Sequence, residues 1–190
     1  MENPKNLFKA ALKTGQTQLG IWNTIGGNTV PEMLGGAGFD WVLVDCEHAA
    51  IETVEVLPAL QAIGQSPSVS ALVRPADNDA TLFKRLLDMG AQTLLVPYIQ
   101  TAKEAEAAVS AMRYGPQGIR GMAGTTRATR YGQIEDYFAT ASIPDPQTAA
   151  KVLHSLNGDG RSLIELEADT GVRRGRLEAL LKILAVEGVV

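Results

Sequence analysis

From the start to about residue 115, short apolar runs alternate with segments of helical period, and this alternation admits few folds. Strands separated by helix-length segments pair in parallel, because each crossover helix returns the chain to the same end and covers the sheet as it does so. The pattern predicts strands over 18–23, 41–45, 70–74 and 93–98, and helices over 6–14, 29–37, 51–63, 80–89 and 101–112. The run Trp41-Val42-Leu43-Val44 has no polar alternation, as in a strand covered on both faces. Pro75 stops the third strand and Gly90 the helix after it, while Thr101 and Glu104 stand at capping-box spacing. The fold class is α/β, a partial (β/α) TIM-type barrel of about four β/α units.

The rhythm stops after residue 112. Residues 113–132, rich in Gly, Arg and Thr, read as a long loop, which in a compact domain is functional or disordered. A short helix near 134–139 closes it, and Ser142-Ile143-Pro144-Asp145-Pro146 forms a proline-rich joint. Helices are expected over 148–156, 162–170 and 174–185, the last with Leu177, Leu180, Leu181 and Leu184 on one face, a helix-turn-helix-like arrangement. The expected domains are a half-barrel over 1–141 and a helical segment over 142–190.

With 45% hydrophobic residues the chain can bury a core, and its net charge of -4 argues against a surface given over to nucleic acid. One cysteine, Cys46, excludes an internal disulfide; the absence of a leader-like apolar run at the start points to the cytoplasm. Charges or glycines interrupt every apolar run, so no membrane span is expected.

Parallel barrels carry their chemistry at the C-terminal strand ends. Here those ends read Trp22-Asn23, then Asp45-Cys46-Glu47-His48, then Arg74-Pro75-Ala76-Asp77-Asn78-Asp79, then Pro97-Tyr98. His48 is either a loop histidine among solvated acids or a general base whose tautomer an acid holds. Arg74 ends an apolar strand and requires a partner: a structural ion pair with Asp45 or Asp77, or the carboxylate of a substrate.

Gly20-Ile21-Trp22, the run from Gly36 to Ala49, Val73-Arg74-Pro75 with Asn78-Asp79, the run from Leu86 to Pro97, Arg113-Tyr114, Pro116 and Gly118-Ile119-Arg120-Gly121 resemble, in order and spacing, the signature blocks of the HpcH/HpaI aldolase family. The resemblance covers roughly residues 5 to 141. It implies a barrel enzyme that cleaves 4-hydroxy-2-oxo acids to pyruvate and an aldehyde with a divalent metal, Mg²⁺ or Mn²⁺. It further implies His48 as the acid/base residue, Asp88 as its supporting acid and Arg74 as the clamp on the pyruvyl carboxylate and enolate oxygen; His48, Arg74 and Asp88 are accordingly expected near the same end of the sheet, with Glu47 and Trp22 lining the mouth. Such roles suit the chemistry, since an enolate requires positive charge where its oxyanion develops.

The family's metal ligands, a Glu ending the fifth strand and an Asp after the sixth, fall downstream of Tyr137-Phe138-Ala139-Thr140-Ala141, where this chain departs from the pattern at Ser142. No metal ligands are identifiable in it, and impaired catalysis is expected. The tail instead resembles, through Arg161-Ser162-Leu163, Arg173-Arg174-Gly175-Arg176-Leu177-Glu178, Leu181-Lys182 and Val186-Glu187-Gly188-Val189-Val190, the winged-helix segment of RecQ-like helicases. That makes the chain a chimera, with a non-catalytic scaffold and a DNA-binding helix-turn-helix protein as the alternatives to an aldolase. Residues 142–190 hold six basic and seven acidic side chains, so a solvated face is favoured over a DNA reader. There is no phosphate-binding Gly-x-x-x-x-Gly-Lys-Ser/Thr loop and hence no helicase motor. Four strands, where a closed barrel has eight, leave two edges and half a wall, with Leu43, Val73 and Leu95 facing the gap, so a homo-oligomer is expected.

Overall fold

The structure, a computed structural model, describes residues 3–134 and Tyr137. Its elements run α1 (Leu7–Lys13), β1 (Gly20–Asn23), α2 (Thr29–Gly35), β2 (Trp41–Asp45), α3 (Thr53–Ile63), β3 (Ser70–Arg74), α4 (Ala80–Asp88), β4 (Thr93–Leu94) and α5 (Ala102–Met112), with a 3-10 turn at Arg127–Thr129. The four strands pair in parallel in the order β1-β2-β3-β4, a sheet compatible with part of a TIM-type barrel. The proline-rich joint, the tail helices and the helix-turn-helix lie outside the described residues.

Local chemistry sets the element ends. Asp79 caps α4 by accepting from the amides of Thr81 and Leu82, both at 2.9 Å. At α5 the expected capping box forms: Thr101 Oγ1 accepts from the Glu104 amide, and the Glu104 carboxylate reaches back to the Thr101 amide. The fourth strand is shorter than its apolar run. Pro97 has no amide to donate to a ladder and Tyr98 sits at φ 56°, so regular pairing ends at Leu94, with one further backbone bond from Leu95 to Val73.

Register decides which side chains share a face. Trp22, Leu43 and Leu72 are opposite one another across β1, β2 and β3, as are Asn23, Val44 and Val73 one position on. Val42, Val44 and Val73 pack with Val56, Leu60, Ile63 and Leu86 into the main core, between the sheet and α3 and α4. Leu43 and Val73 therefore face opposite ways: Val73 belongs to the helix-covered side, against the expectation that both face the barrel interior. Pleating requires this, since Val73 is one residue past the partner of Leu43. A smaller cluster of Phe83, Ala108 and Ala111 joins α4 to α5.

Gly20 is opposite Trp41, and a Cβ at Gly20 would fall inside the Trp41 indole. The ring lies there because Phe8 and Trp22 hold it edge-on, each with its centroid 6.2 Å away.

The long loop after α5 is tied down rather than loose. Ile119 donates to the Ser110 carbonyl at 2.8 Å and Arg120 to that of Arg113 at 2.9 Å, folding the loop onto the end of the helix.

Candidate active site at the C-terminal strand ends

Asp45 and Arg74 are the last residues of β2 and β3 and stand opposite each other in the register. Their side chains leave the sheet on the same face as Trp22, Leu43 and Leu72, the face away from α3 and α4. Arg74 Nε and Nη2 donate to the two carboxylate oxygens of Asp45 at 2.8 and 2.7 Å, a fork-on-fork pair. Arg74 Nη1 reaches Glu47 Oε2 at 2.7 Å.

Asp45 is the hub of the cluster. Besides Arg74, it accepts from the amides of Glu47 and His48 and from Trp22 Nε1, at 3.0, 3.4 and 3.3 Å, so the turn carrying Glu47 and His48 is moulded around its carboxylate. Its side chain is 2% exposed, and the Arg74 guanidinium outweighs burial to hold its pKa down at about 2. The same pairing raises the Arg74 pKa. Trp22 supplies a wall, with its ring 5.4 Å from Arg74 Cζ.

His48 stands at the outer edge of this group. Its Nε2 is 3.6 Å from Glu47 Oε1, and its side chain is 75% exposed, so the imidazole is open to a molecule approaching from solvent. Next to it, Cys46 is half-buried, and burial together with the carboxylates of Asp45, Glu52 and Glu55 pushes its thiol up to about 11.

Four of the five residues singled out from sequence, Trp22, Glu47, His48 and Arg74, thus come together at one rim. Asp88 does not join them within the chain. It ends α4, which returns from the C-terminal end of β3 to the N-terminal end of β4, and its carboxylate accepts from Arg120 Nη2 at 2.6 Å. Sequence reasoning offered Asp45 only as a structural partner for Arg74 and missed its hold on Glu47, His48 and Trp22. The available signal was that an acid and a base each terminate adjacent strands of equal length.

The acids at the rim are a poor match to a divalent metal. Among the described residues no three His, Cys, Asp or Glu groups are arranged to hold one, and the carboxylates of Asp45 and Glu47 are both engaged by Arg74.

Among the described residues no helix is long and apolar enough to cross a membrane.

The family model described as HpcH/HpaI aldolase/citrate lyase matches residues 18–190. The chain is 52% identical over 142 residues to a hydroxypyruvate/pyruvate aldolase of Sagittula stellata, covering 75% of this chain and 56% of that protein. It is 43% identical over 189 residues to a pyruvate aldolase of Rhizobium etli, covering 100% of this chain and 67% of the relative. Against a 4-hydroxy-2-oxo-heptane-1,7-dioate aldolase of Salmonella dublin, identity is 42% over 186 residues, or 97% of this chain and 63% of the relative. The chain therefore spans between about half and two thirds of the length of these relatives. A crystal structure of an HpcH/HpaI aldolase/citrate lyase family protein from Burkholderia cenocepacia superposes with a TM-score of 0.69 at 29% identity, covering 98% of this chain and 83% of that one. Because the family match continues to residue 190, the comparisons give no support to a change of family at Ser142 or to a winged helix. The chain belongs to the HpcH/HpaI aldolase/citrate lyase family.

Proposed function

We propose that the rim formed by Trp22, Asp45, Glu47, His48 and Arg74 binds a small 2-oxo acid and supports aldol cleavage of 4-hydroxy-2-oxo acids to pyruvate and an aldehyde. The observation that carries this reading is the pre-set guanidinium of Arg74, gripped by Asp45 and sharing the Glu47 carboxylate with the exposed imidazole of His48. Three bonds of Arg74 are committed to Asp45 and Glu47, and an arginine has five donors, so two remain for a substrate carboxylate or ketone oxygen.

In the cleavage direction, His48 takes the proton of the C4 hydroxyl as the C3–C4 bond breaks, and the electron pair moves into the enolate of pyruvate. Arg74 stabilises the enolate oxygen, whose charge grows in the transition state. Return of that proton from the His48 imidazolium to C3 completes pyruvate and restores the base, and the Trp22 ring walls one side of the bound acid. The family names of the relatives, pyruvate aldolase and 4-hydroxy-2-oxo-heptane-1,7-dioate aldolase, support this substrate class.

Pyruvate release from a 4-hydroxy-2-oxo acid, followed with a coupled dehydrogenase in Mg²⁺ or Mn²⁺, tests the reading. Release should fall at least about a hundredfold in His48→Ala, the scale of general-base catalysis. Equal release by wild type and His48→Ala would overturn it. In the competing reading, the Arg74 pair with Asp45 is purely structural, and Arg74→Lys would alter stability without altering the affinity for pyruvate.

A further inference from the structure

The opposite end of the sheet carries a second concentration of charge. A cavity of about 690 Å³ opens there, between the segment entering β3 (Ser66, Pro67, Val69), the turn entering β4 (Ala91, Gln92) and the loop after α5. Among the described residues, four cationic side chains line it, Lys5, Arg120, Arg127 and Arg130, and no carboxylate does.

The arginines are held in position by the fold. Arg120 has a side chain only 6% exposed, is anchored by one nitrogen to Asp88, and stacks over Tyr114 with Cζ 4.4 Å from the ring centroid. Arg127, half-buried, donates from Nη1 to the Met89 carbonyl at 3.0 Å. Glycine at residue 90 leaves this guanidinium room: a Cβ there, where φ is +96°, would lie 2.6 Å from Arg127 Nη1. Burial and the neighbouring charge of Arg130 both push the Arg127 pKa down, so the cluster is electrostatically unfavourable as it stands. Like charges gathered around one cavity are relieved by an anion. Planar guanidinium forks suit the tetrahedral oxygens of a phosphate group better than they suit halide.

We propose that this cavity binds a phosphate-type oxyanion through Arg127 and Arg130, with Lys5 supplying further positive charge and Arg120, paired to Asp88, completing the wall. The site is separate from the strand-end rim and does not depend on the aldolase reading, since none of its lining residues belongs to that rim.

Calorimetric titration of inorganic phosphate into the full chain, with ionic strength held constant by sodium chloride, tests it. Saturable binding is expected. It should weaken about tenfold or more in Arg127→Met, which removes charged hydrogen bonds, and be abolished in Arg130→Glu, which reverses an exposed charge without touching the core. Arg74→Met, titrated under conditions where circular dichroism shows it folded, should bind phosphate as tightly as wild type. Absence of saturable binding, binding unchanged in both Arg127→Met and Arg130→Glu, or binding lost in Arg74→Met would each overturn the proposal, the last by assigning phosphate to the strand-end rim.

Discussion

Arg74 grips the Asp45 carboxylate through Nε and Nη2 across the register of two adjacent parallel strands, at 2.8 and 2.7 Å. That one pair orients the only guanidinium at the strand-end rim among the described residues and moulds the turn bearing Glu47 and His48.

Removing one partner leaves the other without compensation. Arg74→Met should destabilise the protein by about 3 kcal/mol, because the buried Asp45 carboxylate loses its counter-charge. Asp45→Asn in the same background should recover part of the loss. Urea unfolding of the single and double variants measures the coupling, and strict additivity would contradict this account.

The depressed pKa of Asp45 has a stability consequence of definite sign. Its unfolded value is 3.8 and its folded value about 2, so its stabilisation is present above about pH 4 and is lost as the pH falls toward 2. The loss amounts to about 2 kcal/mol. Melting temperature followed between pH 5 and pH 2 should drop less steeply in Asp45→Asn than in wild type.

Cys46 should be a sluggish nucleophile in the native state. With its thiol pushed up to about 11, little thiolate exists at pH 8, and half-burial hinders reagents as well. Labelling with a thiol reagent should be slow in buffer and rapid in denaturant. Comparable rates in the two would show that its environment is more open than described.

Gly20→Ala should destabilise by about 1–3 kcal/mol, the usual scale of overpacking, because the added methyl meets the Trp41 ring rather than open space. Near-ultraviolet circular dichroism should change with it as the Phe8, Trp22 and Trp41 contacts rearrange. An unchanged denaturation midpoint would count against the packing described.

Self-association is expected from the sheet. Among the described residues β1 and β4 are both edges, and Trp22, Ile25, Leu95 and Tyr98 expose apolar surface on or beyond the strand ends. Light scattering at micromolar concentration should give a mass above the 20.2 kDa of one chain; a stable monomer would refute this.

The α/β class and the borders of β2 and β3 were legible in the sequence, because uninterrupted apolar runs flanked by turn residues have few other fates. The Thr101–Glu104 cap was legible for the same kind of reason, being local chemistry at fixed spacing. Candidate residues at the rim could also be listed, since strand-end position alone selects Trp22, Glu47, His48 and Arg74. Tertiary structure decided what periodicity cannot encode. Register turned Val73 toward the helices and brought Asp45 opposite Arg74, and the return path of α4 carried Asp88 to Arg120 at the far end of the sheet. Partners 29 and 32 positions apart are chosen by strand pairing and helix direction, properties of the assembled sheet rather than of any segment of the chain.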